Sequence, residues 1–151
     1  MAHTLNLTLK IKQDPETLAK LQTLKANFAT EIQPKMEEAL RESKIVHFAR
    51  VVVIDDLYLQ VLTEYDGDHA FYTEFFRKAL PDVFGALFSL AEGAPSFGDL
   101  DKESFLKVAK SLQRPSLGTA VEGQIDLNGK PEGYLFSAYR DKTVKEILAK
   151  L

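Results

Sequence analysis

The chain contains no cysteine, so it can form no disulfide, no thiolate nucleophile and no cysteine-based zinc site. Its first residues, MAHTLNLTLKIK, alternate in polarity instead of forming the apolar stretch of a signal peptide or a membrane span. Neither sign of charge is in large surplus. Nineteen basic residues against 22 acidic ones give a formal charge of -3, which offers no polybasic field for nucleic acid. Histidine is scarce, with three residues, and no phosphate loop, nucleophile elbow or zinc-protease motif is present. There is no internal repeat and no low-complexity tract. These absences argue against membrane and nucleic-acid partners and make the cytoplasm the expected compartment.

What is present has the proportions of one globular domain, expected to span residues 1–151, with 45% apolar and 27% charged residues. A chain of this length buries roughly 68–70% of its unfolded surface, enough for a core without covalent staples.

The most informative stretch is residues 44–68, KIVHFARVVVIDDLYLQVLTEYDGD, which reads as two long strands folded back at Asp55-Asp56. With those aspartates as the two loop residues, Ile54 faces Leu57, Val53 faces Tyr58, Val51 faces Gln60, Ala49 faces Leu62 and His47 faces Glu64. Cross-strand partners share a face and successive residues alternate between faces. One face then carries His47, Ala49, Val51, Val53, Tyr58, Gln60, Leu62 and Glu64. The other carries Val46, Phe48, Arg50, Val52, Ile54, Leu59, Val61, Thr63 and Tyr65, and this more apolar side is expected to meet helices.

The remaining elements follow from local signals. Leu5, Leu7, Leu9 and Ile11 alternate as a first strand. Asp14-Pro15-Glu16 starts a helical segment over about 15–43, with a break expected at Pro34. A helix rich in aromatics runs from His69 to Leu80, a continuation starts at Asp82, and a loop is expected at Gly93, Pro95 and Gly98. A short amphipathic helix covers about 101–113. Residues 114–133 read as a surface excursion with a turn at Asn128-Gly129, Tyr134–Tyr139 as a last strand, and the segment after Thr143 as a terminal helix. The order is β-α-β-β-α-β. This predicts an α+β, ferredoxin-like, four-stranded antiparallel sheet with helices on one face, extra short helices and a long loop before the last strand.

The stretches VHFARVVVIDD, LTEYDGD and SAYRDKTVKEIL resemble uncharacterised bacterial proteins of the dimeric α/β-barrel superfamily. In that superfamily two such sheets pack face to face around a lumen, and it includes chlorite dismutases, dye-decolourising peroxidases and cofactor-free monooxygenases. The resemblance implies a homodimer with a lumen site. A haem branch fits less well: where the peroxidases carry Gly-x-x-Asp-Gly, the Asp66-Gly67 pair here is preceded by Thr63 in place of the first glycine. No cofactor is expected.

Candidate site residues carry competing readings. His47 and Glu64 are the pair most able to move a proton, because a carboxylate fixes the tautomer of an imidazole, and the same pair serves equally as a structural cross-strand contact. Tyr58 and Gln60 share their face and could orient a ligand. Arg50, placed among aliphatic residues, needs a carboxylate partner or acts as an anion-binding residue. Phe71, Tyr72, Phe75 and Phe76 read as core. His69 beside Asp66 and Asp68 has metal-ligand residue types, but no second histidine at ligand spacing supports a metal site. Two function classes follow: a small-molecule-binding protein or cofactor-independent enzyme with His47 and Glu64 as the catalytic pair, and a non-catalytic oligomeric interaction module.

Overall fold

Two aspartates set the centre of the fold. In the computed structural model, which describes residues 2–93, 101–120, 123–139 and 141–151, Asp55 and Asp56 both sit at φ 53°. Aspartate is among the few residue types that tolerate this left-handed region. Leu57 joins them in the turn, its amide donating to the Ile54 carbonyl at 2.9 Å. The strands on either side, β2 (Val46–Ile54) and β3 (Tyr58–Tyr65), therefore pair as Ile54↔Tyr58, Val52↔Gln60, Arg50↔Leu62 and Phe48↔Glu64.

This corrects the expected register. A third loop residue moves the pairing by one position, and a one-residue slip exchanges the two faces of a strand. On β3 the expected set, Tyr58, Gln60, Leu62 and Glu64, does lie on one face. Its partners on β2 are Phe48, Arg50, Val52 and Ile54, whereas Ala49, Val51 and Val53 pack against the core. Between Val46 and Phe48 the ladder is irregular, which places His47 in a bulge.

The first strand, β1 (His3–Lys10), pairs antiparallel with β3, giving a three-stranded sheet in the order β1-β3-β2. Its buried face carries Leu5, Leu7, Leu9, Leu59, Val61 and Tyr65. Over this face lie helices whose apolar positions were visible in the sequence. Helix α1 (Pro15–Asn27) is capped by Asp14, which accepts from the Thr17 amide, and contributes Leu21. A single π-helical turn (Phe28–Ile32) joins it to α2 (Gln33–Ser43), so the irregularity expected at Pro34 falls just ahead of that residue, which sits in the first turn of α2. Helix α3 (His69–Ala79) contributes Tyr72 and Phe76, and α4 (Pro81–Phe88) contributes Val83, Phe84, Leu87 and Phe88. The start of α4 is Leu80 followed by Pro81, with Asp82 inside the first turn rather than at the cap. Helix α5 (Lys102–Leu112) adds Phe105 against Phe84 and Phe88. Of the loop expected at Gly93, Pro95 and Gly98, the last two lie outside the described residues.

The four-stranded ferredoxin-like prediction is overturned. Residues 134–139 form no strand, because the edge of β1 that a fourth strand would need is already occupied. Lys12 donates to the Leu90 carbonyl, Glu92 to that of Lys10 and Arg114 to that of Asn6, and isolated bridges join Ile11 to Ala91 and Leu7 to Gln113. Two short segments thus satisfy that edge. The excursion does contain a small hairpin, with a bridge from Ile125 to Pro131 around the Asn128-Gly129 turn. After Gly133 the chain crosses to the other face of the sheet. It ends in α6 (Val144–Leu148), started by a capping box between Thr143 and Glu146.

Candidate functional site on the open sheet face

The face of the sheet opposite the core carries Asn6, Thr8, Lys10, Tyr58, Gln60, Leu62, Glu64, Phe48, Arg50, Val52 and Ile54. At the β3 end this face is overlaid by residues 135–139, which together with Ala2, His47, Phe48, Arg50, Leu62 and Glu64 enclose a cleft of about 530 Å³. A second cleft of about 640 Å³ adjoins it through His47, Phe48 and Tyr139, walled by Leu40, Val46, Val144, Ile147 and Leu148. Apolar walls with a few polar groups are the usual makings of a small-ligand site.

The structure brings three of the five expected site residues together. His47, Arg50 and Glu64 line the first cleft. Tyr58 and Gln60 lie on the same face toward the hairpin turn but do not line it, and Gln60 donates to the Thr8 hydroxyl at 3.3 Å. Arg50 is exposed on the open side, so the expectation that it faces the helices is corrected, and with it the need for a buried ion-pair partner.

The partner expected for His47 is also corrected. Phe48 takes the position opposite Glu64, and the His47 imidazole turns from the bulge to Asp66, with Nε2 2.8 Å from Oδ1. The other oxygen of the Asp66 carboxylate, Oδ2, accepts the Val144 amide at 2.7 Å and so anchors the start of α6. A carboxylate can only accept, so in the neutral imidazole Nε2 carries the proton and Nδ1 keeps its lone pair. Among the described residues Nδ1 has no hydrogen-bond partner. Glu64, half-buried, has its carboxyl held above the usual range because burial disfavours the charged form more than Arg50 and His47 stabilise it.

The cleft therefore offers an exposed guanidinium, an acid slow to ionise, and an imidazole oriented by a carboxylate. Asp66, Tyr139 and the 135–138 backbone escaped the reading of the sequence. Asp66 stands out in the sequence only beside His69 and Gly67, and no local pattern announces that a strand-forming aromatic stretch will lie across a sheet.

A second group of ionisable side chains lies on the opposite, core side of β1. His3, His69 and Glu132 come within 4.8 Å of one another through their donor atoms. No protein-family model matches the chain, and no curated protein or solved structure is significantly similar to it. The fold and the cleft define an α+β protein with a three-stranded antiparallel sheet, a helical layer on one face and, on the other, a largely apolar cleft with a few polar groups. None of its described helices is long and apolar enough to cross a membrane.

Proposed function

We propose that the protein binds a small organic molecule in the cleft between β2, β3 and residues 135–139, with the molecule's acidic or polar head at Arg50 and its apolar body against Phe48, Leu135 and Tyr139. The observation that carries this reading is the convergence of Arg50, Glu64 and the Asp66-oriented His47 on one cleft of about 530 Å³. That volume suits a ligand of drug size. At this site His47, oriented by Asp66, is the group placed to exchange a proton with the ligand, and Glu64 remains available as an uncharged donor over a wider range than an ordinary glutamate.

The test uses an apolar sulfonate dye, 8-anilinonaphthalene-1-sulfonate, whose emission rises on leaving water. The chain has no tryptophan, so the dye is read without that background. Saturable binding by the folded protein, weakened about tenfold or more in Arg50→Ala, is the expected result. That factor corresponds to about 1.4 kcal/mol. Binding unchanged in Arg50→Ala and in Phe48→Ala would remove the proposal.

A specific observation keeps the interaction-module reading beside it. Phe48 is 63% exposed, and Ile54, Leu57 and Tyr58 are each about 40% exposed around the far end of the same face. Exposed apolar side chains at both ends of one sheet face are suited to association. A second copy seated there would extend the walls of the cleft and yield a homodimer. Light scattering is expected to give twice 16.9 kDa at micromolar concentration, reverting to the single mass in Ile54→Lys. A single mass in the unaltered protein contradicts this part.

A further inference from the structure

We propose that His3, His69 and Glu132 form a binding site for a divalent transition cation of the zinc type, which ties the 123–133 hairpin to the sheet and to the start of α3. The site is separate from the open-face cleft and does not depend on it. Its three donors come from distant parts of the chain: β1, the first residue of α3, and the segment after the hairpin turn. Their donor atoms all lie within 4.8 Å of one another.

Each donor is already arranged. His3 Nδ1 is 3.0 Å from Glu132 Oε2, and the imidazole rings of His3 and His69 have centroids 4.3 Å apart. His69 Nε2 meets the Ile125 carbonyl at 2.6 Å, so that nitrogen carries the proton and Nδ1 holds the lone pair. The Tyr65 hydroxyl donates to that same Nδ1, so a cation taking the lone pair displaces this hydrogen bond. Glu132 is 2% exposed. Its backbone is fixed by Gly133, at φ 88°, where an added Cβ would stand 2.1 Å from the Ser116 carbonyl oxygen.

Donor type selects the ligand. Two imidazoles and a buried carboxylate converging within 4.8 Å are a donor set that zinc-type ions take. Bonds of about 2.0–2.2 Å in a tetrahedral arrangement place donor atoms about 3.4 Å apart, so the donors close by an ångström or so on binding. Holding His69 at Ile125 and seating Glu132 beside the locked glycine limits the motion required.

The experiment is calorimetric titration of zinc chloride into untagged, chelator-treated protein, with melting temperature and proteolysis of the 113–139 segment read alongside. Binding of one equivalent is expected, with a higher melting temperature and slower cleavage of that segment. His3→Ala, His69→Gln and Glu132→Gln are each expected to weaken binding tenfold or more. Since Glu132→Gln disturbs a buried position, circular dichroism checks its fold, and His69→Gln, at a half-buried helix start, carries the test if that variant does not fold. Absence of saturable zinc binding overturns the proposal. Binding that is lost only with His3 and persists in His69→Gln also overturns it, because the N-terminal segment alone would then account for it.

Discussion

Replacing Asp66 with alanine removes two hydrogen bonds at once, and the loss can be sized from the geometry. The Asp66 carboxylate accepts from His47 Nε2 at 2.8 Å and from the Val144 amide at 2.7 Å, with the His47 and Asp66 side chains 10% and 14% exposed. A hydrogen bond to a charged acceptor contributes about 1.5–3 kcal/mol. Partial rehydration of the imidazole returns some of that, so the expected cost is about 2–4 kcal/mol. For a domain of this length each kcal/mol moves the melting temperature by about 2–4 °C, which predicts a fall of about 5–15 °C in differential scanning calorimetry at pH 7. The double-mutant cycle isolates the pair: His47→Ala and Asp66→Ala are expected to couple by about 1–2 kcal/mol. His47→Ala and Glu64→Gln, by contrast, are expected to be closer to additive, since Phe48 stands opposite Glu64. A melting temperature of Asp66→Ala within a degree or two of the unaltered protein, or additivity with His47→Ala within about 0.3–0.5 kcal/mol, would refute the assignment of Asp66 as the residue that holds His47.

Three further outcomes are expected. Because Glu64 has its folded pKa raised by burial, its neutral form favours folding below the unfolded carboxyl value, and that contribution is lost as pH rises through the folded value. Glu64→Gln is therefore expected to gain stability relative to the unaltered protein at pH 7 and to show no gain near pH 4, measured by urea denaturation. Glu74 is the opposite case: its hydrogen bonds with Arg77 draw its pKa down to about 2, so Glu74→Gln is expected to cost stability at pH 7, with the difference vanishing as pH falls toward 2. Gly133→Ala is expected to destabilise by more than about 1 kcal/mol, through both the left-handed backbone and the clash with Ser116, and a melting temperature equal to that of the unaltered protein would contradict the close approach of the two segments.

What the sequence disclosed was local. The helix starts at Asp14 and Thr143, the alternation of Leu5 to Ile11 and the aromatic helix from His69 each depend on residues within a turn or two, and the structure has these elements where the pattern placed them. The errors lie where distant segments decide. A turn of three residues in place of two is a small difference in sequence, yet it exchanged the faces of β2 and put Arg50 in the open. The aromatic run Tyr134–Tyr139 has strand propensity, but propensity does not reveal that residues 90–92 and 113–114 already hold the edge of β1. His47 keeps a carboxylate partner as expected, though the bulge gives it Asp66 instead of Glu64. The grouping of His3 with His69 and Glu132 had no signal in spacing, because only the fold brings the start of β1, the first residue of α3 and the segment after the hairpin turn together.

Whether the open-face cleft is a binding site is decided by mapping amide chemical shifts as 8-anilinonaphthalene-1-sulfonate is titrated into isotope-labelled protein. Saturable shifts concentrated at His47, Phe48, Arg50, Glu64 and residues 135–139 are expected if the ligand sits between β2, β3 and the overlying segment. Shifts scattered over the surface without saturation, or concentrated on the helical layer around Phe71 and α4, would contradict binding in the cleft.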